Sequence, residues 1–236
     1  MNCIVLDQGN TSIKWGLFQN DILCESGKIP DETAEIVLDQ LSAKHPIPFF
    51  YSSVRSDSEQ QSFLARFTFC QPLPNENYPT YSYTTGVAGK DRLANVAGAT
   101  SLFGKNESLV VDFGTCITYS IGRNNELLGG AISLGAQARL RAMHEYTGQL
   151  PFLELTETTK RFDNSTQGAM LSSVNFGILS ELKGYIEYAM SEMSEITVVF
   201  TGTDAQHFAK QLNYRIFVEL NLTLIGLYAI SCANES

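Results

Sequence analysis

Residues 4–16 read IVLDQGNTSIKWG, and residues 109–121 read LVVDFGTCITYSI. Each is an apolar run, an Asp, one residue of any type, a Gly, and then small hydroxyl or amide residues. A short apolar run closed by a turn signal reads as a buried strand, and the alternation after the Gly reads as a second strand. At an offset of 105 residues Val5 falls on Val110, Asp7 on Asp112, Gly9 on Gly114 and Asn20 on Asn125. On that offset the turn Asn20-Asp21 lies over Asn125-Glu126, and Ile22-Leu23 lies over Leu127-Leu128. A repeat this long and this infrequent is not a solenoid. It predicts two similar α/β lobes, residues 1–104 and 105–236, each opening with a β-hairpin, with a ligand cleft between them.

Outward from the hairpins, a third strand is expected over 22–29 and a helix over 33–43, stopped by Pro46-Ile47-Pro48. FFYSSV (49–54) reads as a strand, and SEQQSFLARF (58–67) as a helix capped by Ser58 or Asp57. The Pro-, Tyr- and Thr-rich stretch 71–90 reads as loop, turning helical from about Asp91. In the second half, strands are expected at 108–112, 116–122 and 126–132, with a turn at Asn124-Asn125. Helices follow over 136–146, over 167–190 either continuous or broken near Gly177, and over 205–212, and an apolar helix over 221–232 ends the series. One further strand is expected at 196–200.

Composition narrows the function classes. The 236 residues carry a formal net charge of −9, which argues against a general nucleic-acid binder. The five cysteines are scattered and odd in number, and the three histidines lie far apart. Free thiols are the simplest reading, and neither a disulfide framework nor a His-based metal site is expected. The apolar run at the N-terminus is too short for a signal peptide, and no stretch approaches the span of a bilayer. The expectation is a cytoplasmic protein without a membrane partner.

The hairpin tips suggest phosphate chemistry. Gly9 and Gly114 allow close approach, backbone N–H groups at a turn form an anion site, and Asn10, Thr11, Ser12, Thr115 and Thr118 add side-chain donors. A carboxylate at such a tip cannot bind phosphate itself but can hold a cation that bridges to it. The competing reading is a pair of ordinary hairpins whose Asp residues make turn hydrogen bonds. Gly89-Lys90-Asp91-Arg92 sits where a helix starts. It fits either a capped helix with a surface ion pair, or a general base (Asp91) beside an anion-binding Arg92. Thr201-Gly202-Thr203-Asp204 is a third candidate nucleotide-contacting turn.

In order along the chain, these motifs resemble those of the type III pantothenate kinases. The matching segments are Asp7-Gln8-Gly9-Asn10-Thr11-Ser12-Ile13-Lys14, Gly89-Lys90-Asp91-Arg92 and Asp112-Phe113-Gly114-Thr115-Cys116-Ile117-Thr118. Gly129-Gly130-Ala131-Ile132 with Leu150-Pro151, Thr166-Gln167-Gly168-Ala169-Met170 and the closing Leu222–Leu227 complete the set. The resemblance implies duplicated actin-like ATPase (ribonuclease H-like) lobes, each a mixed β-sheet flanked by helices. It implies ATP-dependent phosphorylation of pantothenate, the first step toward coenzyme A, in a homodimer. It implies Asp91 as the base, Arg92 on the pantothenate carboxylate, and Gly89, Lys90 and Thr166 at the substrate. Asp7 through Lys14 and Thr115 would hold ATP, with magnesium near Asp7 and a monovalent cation, potassium or ammonium, at Asp112. The sequence departs from the family pattern at Thr84-Thr85-Gly86, where Asn-Pro or Thr-Pro is usual, and at Cys116, Leu134 and Thr203. The family's substrate-contacting Tyr aligns with Ser82, so Tyr81 or Tyr83 would serve. Two alternatives remain: a catalytically silent transcription accessory factor, or a kinase for another small molecule.

Overall fold

The computed structural model describes residues 1–104, 107–158, 160–193 and 195–233. The lobe boundary expected at 104–105 abuts Lys105 and Asn106, which lie outside the described residues. The chain clusters into two compact units, one of Met1–Lys105, Gly122–Gly129 and Asn221–Ser236, the other of Asn106–Ile121 and Gly130–Leu220.

In the first unit β1 (Cys3–Gln8), β2 (Ser12–Gln19) and β3 (Ile22–Pro30) form an antiparallel meander. Then come α1 (Ala34–Lys44), β4 (Phe49–Ser53), α2 (Asp57–Arg66), β5 (Cys70–Pro72), β6 (Thr80–Tyr81) and α3 (Lys90–Phe103). β4 pairs parallel with β1 and β5 parallel with β4, giving the order β3-β2-β1-β4-β5. The second half opens with β7 (Glu107–Phe113), β8 (Cys116–Arg123) and β9 (Glu126–Leu134), followed by α4 (Ala136–Glu145) and α5 (Thr166–Glu192). It continues with β10 (Ile196–Gly202), α6 (Ala205–Ala209), β11 (Ile216–Val218) and α7 (Leu222–Cys232), the last belonging to the first unit. Its sheet runs β11-β10-β7-β8-β9-β6. Read from β9, the order 9-8-7-10-11 repeats 3-2-1-4-5 strand for strand, so the duplication is a property of the fold.

Each hairpin turns on two left-handed residues, Asn20 (φ 50) with Asp21 (φ 67) and Asn124 (φ 53) with Asn125 (φ 61). That is the turn geometry whose twist matches paired strands, and Asn and Asp tolerate it best. The equivalence also corrects the expected register. The offset of 105 holds through Asp112 and Gly114, then drops to 104, because the first tip has one more residue between its Gly and the next strand. Asn20 therefore matches Asn124, not Asn125.

Side-chain alternation along β1 divides the first unit's core. Ile4 and Leu6 pack with Ile13, Leu17, Leu38 and Phe63 on the α1–α2 side. Cys3 and Val5 pack with Leu93, Val96, Leu224 and Leu227 of α3 and α7. Asp7 continues the odd-numbered face and Gln8 the even one. Likewise in β7, Leu109, Val111 and Phe113 enter the core with Ile178, Leu182 and Phe200, while Asp112 lies with Val110 on the other face.

The sequence expectations also depart from the structure elsewhere. The α2 cap is Ser56, not Ser58 or Asp57, because Glu59 three residues on closes a capping box with it. α5 is unbroken over 27 residues. A glycine within a helix costs only about 1 kcal/mol, which the packed helix absorbs at Gly177. The stretch 71–90 takes in the end of β5 and all of β6, whose pairing partners are distant in sequence. α6 ends at Ala209, and β11 was not expected.

Candidate active site

The first tip follows from β1. Asp7 is 7 % exposed and lies opposite Lys14 and Ser52 in strand register. Its face is that of α3, and Tyr78 on the same side donates to Ser52 Oγ (2.7 Å). Burial, reinforced by the Asp7 carboxylate, pushes the Tyr78 phenol up to about 12. Gln8 points to the opposite face, its Oε1 accepting from Tyr51 (2.5 Å) and Ser53 (2.9 Å). The Gly9 N–H donates to the Ser12 carbonyl (3.0 Å) and closes the tip. Asn10 and Thr11 are exposed at its apex, Ser12 and Ile13 are buried, and Lys14 is half-buried.

Gly89-Lys90-Asp91-Arg92 occupies the start of α3. Gly89 is the N-cap residue, and Asp91 Oδ1 accepts the Arg92 N–H (2.8 Å). A Cβ at Gly89 would lie 2.5 Å from that oxygen, so the glycine makes room for the carboxylate. Arg92 is 6 % exposed, donates Nη1 to the Tyr83 hydroxyl, and holds its guanidinium 5.8 Å from the Tyr83 ring centroid. Tyr81 packs edge-on against Tyr83. Lys90 lies over the Tyr78 ring, 5.6 Å from its centroid, and burial pulls its ammonium below the usual lysine range against the opposing effect of Asp57. Through Tyr78, therefore, the face carrying Asp7 meets the motif carrying Asp91.

In the second unit the Gly114 N–H donates to the Cys116 carbonyl (3.0 Å), repeating the closure of the first tip. Thr115 is exposed and Asp112 half-buried. Two glycines approach this turn. The Gly135 N–H donates to the Thr115 carbonyl (2.9 Å), and a Cβ there would lie 2.8 Å from that oxygen. Gly202, at φ +89, would place a Cβ 2.6 Å from Asp112 Oδ1. The third candidate turn, Thr201–Asp204, thus borders Asp112, which faces Thr201 in register. Burial raises the Asp204 carboxyl, opposed by His207. Cys116 is a half-buried free thiol in this tip. Thr166 is the exposed first residue of α5, whose Ser165 cap accepts the Gly168 N–H (3.0 Å).

Sequence reasoning missed Arg55, Tyr78, Ser52 and the Asn95–Thr223 pair, in which the threonine hydroxyl donates to buried Asn95 Oδ1 (2.8 Å). None carries a local motif, since each acts across a long sequence gap.

Two repeated sheets whose hairpin tips carry a carboxylate and an open glycine turn define the class, an actin-like ATPase fold. The same fold occurs in an inorganic polyphosphate/ATP-glucomannokinase from Arthrobacter, at a TM-score of 0.54 and 17 % identity over 100 % of this chain and 99 % of that one. The sequence pattern of type III pantothenate kinases matches residues 3–188. The type III pantothenate kinase of Christiangramia forsetii is 35 % identical, over 99 % of each chain, and that of Flavobacterium johnsoniae is 35 % identical over 95 % of each. This chain belongs to the type III pantothenate kinase family.

Proposed function

We propose that the chain transfers the γ-phosphoryl group of ATP to the terminal hydroxyl of pantothenate, giving 4'-phosphopantothenate, the first step toward coenzyme A. The observation that carries the reading is the start of α3. Within a family-wide sequence match, it sets a carboxylate, Asp91, beside a buried guanidinium, Arg92. Asp91 accepts the hydroxyl proton as the oxygen attacks phosphorus, and Arg92 takes the pantothenate carboxylate, with the Tyr83 hydroxyl bonded beside it. Gly89, Lys90 and Thr166 complete the substrate contacts. Phosphoryl transfer asks mainly for alignment and charge neutralisation.

The tip Asp7–Lys14 and Thr115 are assigned to ATP. The donor set fits a divalent cation bound with the nucleotide. A magnesium ion held largely by water and phosphate oxygens needs only one protein carboxylate. Asp7 would hold it, and when bound it offsets charge on the transferring phosphoryl group. Asp112, half-buried beside Gly202, is assigned to potassium or ammonium. Asp112→Ala is expected to flatten the dependence of the rate on monovalent cation; an unchanged potassium response rejects that role.

The homodimer is part of the same proposal. Exposed Tyr185 and Tyr188, about one turn apart on α5, support it. Light scattering that finds only monomer at assay concentration would refute it. No helix among the described residues is long and apolar enough to cross a membrane, and the family's metabolic role suggests the cytoplasm. A panel of acceptors (pantothenate, sugars and other small alcohols) assayed with ATP tests the function. Pantothenate is expected to be the preferred acceptor, and preference for another alcohol would overturn the assignment.

A further inference from the structure

We infer that Arg55 is a positioning residue for the nucleotide phosphates. Resting on the assignment of the first tip to ATP, this says that Arg55 fixes the Gly9–Asn10 peptide so that the Asn10 N–H is presented outward. Arg55 follows β4, next to β1 in the sheet, and its Nε donates to the Gly9 carbonyl (2.8 Å). A trans peptide is planar, with its C=O and N–H on opposite sides. Holding the Gly9 oxygen toward Arg55 therefore turns the Asn10 N–H away from it, at the exposed apex of the tip.

The guanidinium is well placed to orient and poorly placed to bind phosphate. Its Nη2 donates to both carboxylate oxygens of Asp31 (2.8 and 2.7 Å), so its charge is already compensated, and the side chain is 14 % exposed. The fork is thus anchored at one end on Asp31 and at the other on the tip. The planar guanidinium can serve both partners at once, and a lysine ammonium cannot reproduce that geometry. The main chain of Arg55 is secured separately. Its N–H donates to Ser53 Oγ (3.1 Å), its carbonyl accepts from Gln60 Nε2 (2.6 Å), and Ser53 Oγ in turn donates to Gln8. Removing the guanidinium frees the tip peptide while the junction between β4 and α2 keeps its ties.

The test compares wild type, Arg55→Lys and Arg55→Ala by calorimetric titration with MgADP, by thermal melting, and by separate KM values for ATP and acceptor. Loss of one charge-assisted hydrogen bond at a donor-presenting turn is expected to weaken MgADP binding and raise KM for ATP by about tenfold in Arg55→Ala. The acceptor KM is expected to stay unchanged, and Arg55→Lys to fall between the two. Wild-type MgADP affinity in both variants would overturn the inference. So would a parallel rise of both KM values with a lowered melting temperature, the mark of general destabilisation. If Arg55→Ala does not fold, Arg55→Lys carries the comparison. MgADP titration needs no acceptor: if pantothenate proves not to be the substrate, the functional assignment falls while the Arg55 comparison still decides. A wild type that binds no nucleotide overturns both.

Discussion

Asp91→Asn is expected to lower kcat by roughly 10²- to 10⁴-fold, the usual contribution of a positioned general base. The substitution separates chemistry from structure. An asparagine at this position still accepts the Arg92 N–H through its side-chain oxygen and remains suited to a helix start. Its structural loss includes the charge–dipole attraction at the N-terminus of α3, about 0.3–1 kcal/mol. A large fall in turnover at a nearly unchanged melting temperature is therefore the expected pairing. A kcat within a few-fold of wild type would reject Asp91 as the base.

Gly226→Ala is expected to produce the largest loss of stability. α3 and α7 pass with Gly98 and Gly226 at their point of approach. A Cβ on Gly226 would lie 2.6 Å from the Ala94 carbonyl carbon and 3.0 Å from the Gly98 nitrogen. Those are backbone atoms of α3, so no rotamer change relieves the overlap, and the helices must separate. Overpacking of this kind costs about 3 kcal/mol or more. At this chain length that lowers Tm by about 6–12 °C. Because α3 also carries Asp91 and Arg92, the folded fraction should also show impaired turnover. Gly184→Ala on α5 is the control. Nothing lies within 4 Å of its Cβ position, and removing a helical glycine there should slightly stabilise. Equal melting temperatures for the two variants would refute this account of the crossing.

The hairpins were legible because their signals are local. Asp-x-Gly tips and paired Asn or Asp turns restrict their own backbone, so the duplication could be read before any tertiary contact was known. The slip from 105 to 104 was not legible, since one extra tip residue is visible only once the two strand starts, Ser12 and Cys116, are placed. Nor could the docking of α7 be read. Its apolar sequence foretells a buried helix, but its partner α3 lies more than a hundred residues away, and the clue is two glycines, Gly98 and Gly226. Among the proposed site residues, Asp91 and Arg92 were marked by their place at a helix start together with the family resemblance. Arg55 did not, because its meaning lies in a bond to Gly9, 46 residues earlier. Tyr81 and Tyr83 were indistinguishable in sequence, and the structure brings Tyr83 to Arg92.

The most direct measurement is the fate of the γ-phosphoryl group. Purified protein incubated with γ-labelled ATP, magnesium, potassium and pantothenate should move the label onto pantothenate, with the product identified by mass as 4'-phosphopantothenate. Label released only as inorganic phosphate, or retained in ATP while pantothenate stays unmodified, would contradict the account.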